Sequence, residues 1–182
     1  MHLILTGATG FAGGEVLRQV LDDPAIEQVT VLTRRASGRT HPKLHEVIQA
    51  NFRDYSALDF GSADACIWCL GVSQTAVDEA AYVEITHDYA LAAAQAMWAA
   101  NPGLRFCFLS GRGADQQEQA RTLFGRIKGR TERELAALSP NVTSFRPAYI
   151  KPTRATGPRR DFARYLAPIG TVMSWISDSL SV

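Results

Sequence analysis

Three glycines, Gly7, Gly10 and Gly13, follow a short apolar run, Leu3-Ile4-Leu5, and lead into Phe11–Leu21, a segment of helical length and composition. In a strand–turn–helix of this kind one glycine permits the sharp bend and another lets backbone approach a pyrophosphate. A third lets the helix pack closely on the strand. The free N–H groups of the helix start then face the anion. Gly7, Thr9, Gly10, Phe11, Ala12 and Gly13 are therefore the candidate phosphate cradle. No Gly-Lys-Ser/Thr follows, which excludes a kinase-type phosphate loop. About twenty residues beyond Gly13, an acid would normally hold the adenosine ribose hydroxyls of NAD. This chain has Thr33-Arg34-Arg35 there. A guanidinium pairs with a 2′-phosphate, so these residues favour NADP, with NAD the weaker alternative.

Two other pairs carry less. Cys66 and Cys69 have redox spacing, but they fall in a predicted strand, where residues three apart point to opposite faces, so packing is the expected role. His41 and His45 have helical metal-ligand spacing, yet Pro42 spoils a common face and no third ligand presents itself.

These residues need a scaffold, and the chain supplies one. Strand-length apolar runs at 3–5, 29–32, 47–48, 65–70, 106–109 and 142–145 alternate with helical segments at Phe11–Leu21, Ala80–Ala100 and Gln116–Leu138. Several runs are apolar at consecutive positions, as parallel strands covered on both faces require. The pattern predicts an α/β fold: a Rossmann-type, doubly wound parallel sheet in a single domain. Residues 1–150 form the dinucleotide-binding part, and 151–182 a basic loop and short apolar tail of the same domain. Residues 146–164 hold six basic side chains against Asp161, which suits either a solvated loop or one that meets an anionic ligand.

Thr6–Gly13, Cys69-Leu70-Gly71, Tyr82–Tyr89, Leu109-Ser110 with Gly113-Ala114-Asp115, Lys128-Gly129 and Phe145-Arg146-Pro147 occur in this order. With its Gly-x-x-Gly-x-x-Gly spacing, the chain resembles the extended and atypical short-chain dehydrogenase/reductase superfamily. It is most similar to the branch holding the NmrA-like and Tat-interacting oxidoreductase-like proteins. The resemblance implies that Asn51 or Asp54 lies near the adenine. Leu70 and Gly71 would lie where the fourth strand's end passes the cofactor, and Pro147 in the loop bordering the nicotinamide. It further implies the family's catalytic serine at Ser110 and its lysine at Lys128. The serine orients a substrate oxygen, and the lysine binds nicotinamide ribose and lowers the pKa of a tyrosine four residues earlier. That tyrosine is absent: position 124 is Phe124. A phenyl ring there implies a place already shaped for an aromatic ring, into which a hydroxyl would fit with little disturbance. Tyr149 is the candidate substitute donor, and Arg112 could offer charge to a substrate oxygen.

Composition narrows the function classes. The 182 residues are 46% hydrophobic and 20% charged with a net charge of +1, so no global basic field points to nucleic acid. Three cysteines, an odd number with no leader ahead of Leu3, argue against a disulfide framework. The apolar stretch from Tyr165 to Ser177 is shorter than the roughly 20 residues a bilayer demands. The expectation is a cytoplasmic protein without a membrane or nucleic-acid partner, binding a dinucleotide and a small-molecule substrate. Trp98, Trp175 and the tail could form a homodimer surface. Three functions compete: an NADP-dependent oxidoreductase or epimerase-like enzyme with an altered site, a regulator that holds NADP(H) without turnover, and an interaction scaffold.

Overall fold

The computed structural model describes residues 1–151. The chain divides into two compact units, Met1–Pro147 and Ala148–Val182. The fold built below is that of the first; Trp175 and the rest of the apolar tail lie outside the described residues.

Six strands form one parallel sheet: β1 (His2–Thr6), β2 (Gln28–Thr33), β3 (Leu44–Ile48), β4 (Ala65–Trp68), β5 (Arg105–Leu109) and β6 (Val142–Phe145). Their spatial order is β3-β2-β1-β4-β5-β6, so the chain reverses its direction of travel across the sheet between β1 and β4. The expected Rossmann architecture is thus present. Helix α1 (Phe11–Asp22) covers one face through Leu17, which packs with Leu3, Leu5, Val29 and Val31. The other face carries the larger core, where Trp68, Phe106 and Phe52 pack with Ala90, Ala94, Met97 and Leu135 from two later helices. Trp68 stacks on Phe106 with ring centroids 6.0 Å apart.

The segment expected as one helix over Ala80–Ala100 is subdivided. Helix α2 (Glu79–Val83) runs into a π-helical turn, Glu84–Asp88, and then α3 (Tyr89–Ala100). The wider turn directs the consecutive residues Thr86 and His87 inward together. There the His87 ring contacts the Asp88 and Glu134 carboxylates, each at 2.8 Å.

The segment expected as a helix from Gln116 begins later, with α4 (Leu123–Leu138). Asp115 captures the intervening chain, its carboxylate accepting from the Gln117 and Gln119 backbone N–H groups. Glu118 sits at φ +60°, outside helical geometry. Thr122 then caps the helix, its Oγ1 accepting from Gly125 N at 3.1 Å. The strand expected over 65–70 ends at Trp68, because Leu70 N turns to donate to Thr6 Oγ1 at 3.1 Å. Neither the β2–β3 nor the β3–β4 connection contains a helix.

Candidate functional site

Because all six strands are parallel, Gly7, Arg34, Asn51, Leu70, Ser110 and Pro147 all follow C-terminal strand ends and gather along one edge of the sheet. In open α/β sheets that edge, at the point where the strand order reverses, is where ligands bind.

The glycine turn divides its labour as the spacing requires. Gly7 has φ +68°, and a Cβ on it would stand 2.5 Å from the Cys69 carbonyl oxygen, so its absence admits both the turn and β4's end. A Cβ on Gly13 would meet Gly7 O at 2.2 Å; its absence lets α1 press onto the turn after β1. Gly10 differs: a Cβ there meets only Gly7 O, at 3.2 Å, and the residue is exposed. The space before Gly10 is open, as a pyrophosphate cradle needs. Gly10 is the N-cap of α1 and no side chain caps the helix, which leaves first-turn N–H groups, at Phe11 and Ala12, facing outward. Thr9 and Phe11 are exposed beside them. The residues fit a dinucleotide phosphate.

At the adenine end, Thr33 Oγ1 donates to Arg35 O at 2.8 Å and fixes the backbone from which Arg34 and Arg35 project. Both side chains are exposed, and neither joins an ion pair among the described residues. The two candidates after β3 share one loop. Asn51 Oδ1 accepts from Arg53 N, Asp54 Oδ1 accepts from Ser56 N, and Gln49 Nε2 donates to both backbone carbonyls. The bond from Ser56 holds the Asp54 carboxyl below its ordinary range.

The other end of the edge gathers Ser110, Lys128 and Glu132. Ser110 leaves β5 with its N–H donating to Phe145 O at 2.8 Å, while Arg112 N donates to Pro147 O at 3.0 Å. Those two bonds place Ser110 and Pro147 side by side. Ser110 is 7% exposed, and its Oγ is buried without a well-formed hydrogen bond. Buried hydroxyls are normally satisfied. Lys128 projects from α4 and donates from Nζ to Leu109 O at 2.7 Å, with Nζ 4.4 Å from the Phe108 ring centroid. Burial pushes its pKa down to about 8, against the opposing pull of Cys69 and Glu132. One turn on, Glu132 is buried and bound by Arg146 from the end of β6 and by Gln116 Nε2 at 3.1 Å. Burial alone would raise the Glu132 carboxyl, but Arg146, the nearby Ser110 hydroxyl and Gln116 outweigh it and keep it ionised below the usual range.

The room expected around Phe124 is not there. A Cβ built on Gly111 would lie 2.5 Å from Phe124 Cζ and 3.4 and 3.5 Å from its two Cε atoms. Those distances put Gly111 on the ring's long axis, where a tyrosine's phenol oxygen would project. The ring fits because Gly111 has no side chain; a phenol would run into its backbone. Gln74, from the loop after β4, accepts from Phe124 N at 2.7 Å and pins the start of α4. Gly111, Gln74 and Glu132 were not anticipated from the sequence. Glu132 alone left a signal, standing four residues after Lys128 on one helical face. Tyr149 is exposed and belongs to the second compact unit.

Cys66 lies in the core on one face of the sheet, whereas Cys69 packs with the cluster under α1 on the other. Burial raises both thiols, Cys69 to about 11, which suits packing rather than redox exchange. His41 Nδ1 accepts from Lys43 N, while His45 is exposed on β3.

This fold and glycine turn are those of the short-chain dehydrogenase/reductase superfamily. The chain belongs to the NAD dependent epimerase/dehydratase family, whose model matches residues 3–168. It is similar to Leucinostatins biosynthesis cluster protein T of Purpureocillium lilacinum, at 31% identity over 76% of this chain and 52% of that protein. It is also similar to Protein HTATIP2 of Rattus norvegicus, at 27% identity over 81% of this chain and 62% of that one. The chain thus spans between half and two thirds of these relatives' lengths. Among solved structures it shares its fold with Bordetella bronchiseptica WbmG in complex with NAD and UDP. That match has a TM-score of 0.61 and 16% identity, over 79% of this chain and 52% of that one.

Proposed function

We propose that the chain binds NADP(H) along the C-terminal edge of its sheet and serves as an oxidoreductase of small carbonyl or alcohol substrates with an altered proton-transfer site. The observation that carries this reading is the buried Ser110 hydroxyl, next to the Glu132 carboxylate, with Lys128 bonded to the preceding residue's carbonyl at the strand end where a nicotinamide would lie. A bound dinucleotide supplies hydride chemistry there. Gly10 and the open first turn of α1 would hold its pyrophosphate, Arg34 and Arg35 a 2′-phosphate, Asn51 the adenine region, and Lys128 the nicotinamide ribose, with Leu70, Gly71 and Pro147 flanking. WbmG was crystallised with NAD; the preference for NADP in this chain rests on the two unpaired arginines.

A second reading is favoured by one contact. Phe124 abuts Gly111 along its axis, which makes the customary phenol unwelcome, and suits a protein that holds NADP(H) without turning it over. Titration with NADPH and NADH, followed by turnover with a panel of carbonyls, decides between them. Tight NADPH binding with turnover supports the first reading, and binding without turnover the second. No dinucleotide binding overturns both.

A further inference from the structure

We propose that Lys128 is the proton donor of this site, delivering an ammonium proton to the substrate oxygen that the Ser110 hydroxyl holds. This rests on the oxidoreductase reading above. Position 124 has no proton to give, and Gly111 closes the axis along which a phenol would reach. The nearest group on the same face of the helix that can release a proton is one turn on, at Lys128. Its Nζ makes one hydrogen bond, to Leu109 O at 2.7 Å, and no ion pair among the described residues, so two of its three protons are uncommitted. Leu109 is the residue before Ser110, so the bond that anchors the amine also holds it at the serine. The Phe108 ring covers its other side at 4.4 Å.

The charged and titratable groups facing the amine are few. Cys69 comes from the end of β4, and Glu132 from the next turn of α4, where Arg146 already neutralises it. In that setting the amine titrates at about 8, the range in which a lysine acts as an acid near neutrality. The step balances. The carbonyl carbon gains a hydride from the reduced dinucleotide, and the C=O π pair moves onto oxygen and takes a proton from Nζ. The alcohol leaves, the dinucleotide is oxidised, and solvent reprotonates the neutral amine.

The chain has three lysines, Lys43, Lys128 and Lys151, so ¹³Cε-lysine labelling yields three resonances. The signal lost in Lys128→Arg belongs to Lys128, or, if that variant fails to fold, the signal retained in both Lys43→Arg and Lys151→Arg. It should titrate near pH 8 in the free protein. The single-turnover rate of NADPH with p-nitrobenzaldehyde should fall about tenfold per pH unit above that midpoint. Lys128→Arg keeps a cation for the ribose but cannot release a proton. Its NADPH affinity should stay within about threefold while turnover drops by roughly 10²–10⁴. A Lys128 midpoint above 10, a rate flat from pH 7 to 10, or a Lys128→Arg variant as fast as the native protein overturns the proposal. NADPH binding with no turnover of any carbonyl also overturns it and leaves the cofactor-holding reading standing. Absence of NADPH binding instead removes the oxidoreductase reading on which it rests.

Discussion

At Gly10 the backbone is exposed, and a Cβ there would meet only the Gly7 carbonyl oxygen, a tight 3.2 Å away. A valine there therefore disturbs the ligand rather than the fold. Gly10→Val should abolish NADPH binding in a fluorescence titration while the melting curve stays within a few degrees of native; retained affinity would remove the phosphate-loop assignment. Phe124 behaves in the opposite way. Since Gly111 stands on its ring axis, Phe124→Tyr is an overpacking change, expected to cost about 1–3 kcal/mol. Denaturant midpoints should show that loss, with no gain in carbonyl reduction.

Lys128 also links the site to stability through pH. Its folded pKa of about 8 lies below the usual lysine value, so in the window between them the unfolded chain binds more protons than the folded one. Stability contributed by this group therefore rises with pH from about 8 to 10.5 and is lowest below 8. The raised thiols of Cys66, Cys69 and Cys107 work in the opposite sense above pH 9, because they keep protons in the folded state that the unfolded chain has shed. The effect of Cys66 and Cys107 is shared by native protein and Lys128→Met, whereas Cys69, which Lys128 holds down, rises further in the variant and adds to the same trend. The difference in unfolding free energy between the two should therefore shift with pH in favour of the native chain across that window. A constant difference would mean that the amine is not desolvated.

Among the elements, α4 is the one on which the site's geometry hangs. Lys128, Glu132 and Phe124 all project from it, and its depth is set by Gly129, where a Cβ would lie 1.9 Å from the Asp115 carbonyl oxygen. Gly129→Ala must push the helix outward, carrying Lys128 away from Leu109 O. It should lower the melting temperature by several degrees and weaken NADPH binding together, whereas Thr122→Ala, which removes only the cap, should cost about 1 kcal/mol. The start of α4 shows where local reading stops. Gln116–Arg121 has a composition that favours helix, and only the capture of its backbone by Asp115, with Glu118 at positive φ, keeps it a loop. The subdivision of α2 and α3 by a π turn was likewise hidden, since nothing in Glu84–Asp88 breaks a helical pattern.

Over the whole molecule, the sheet, its parallel sense and the glycine turn were legible because each depends on residues close in sequence: strand, turn and helix follow one another within Leu3–Leu21. What was not legible depends on distant partners. Gly111 determines what position 124 can hold, and Gln74 anchors that position from 50 residues away. No local pattern encodes either contact. The cofactor preference belongs to this scale too, since it depends on a charge meeting a ligand at the far end of the sheet. NADPH should bind about ten- to a hundredfold more tightly than NADH, as charge-assisted bonds to a phosphate warrant. Arg34→Ala with Arg35→Ala should erase that preference and spare NADH affinity. Equal affinities in the native protein would place both arginines in solvent without a role.

Gly7 touches the backbone of Cys69, a residue that takes its place only when β4 docks beside β1. The glycine turn therefore cannot take its final form until β4 has docked. While the polypeptide is being synthesised, β1, α1, β2 and β3 can assemble as a local unit, but the cradle lacks its floor until β4 has emerged and inserted at the sheet's centre. The proposed cradle thus depends on the pairing of β1 with β4. A dinucleotide that binds the proposed cradle would favour the docked arrangement, because only there is the turn complete.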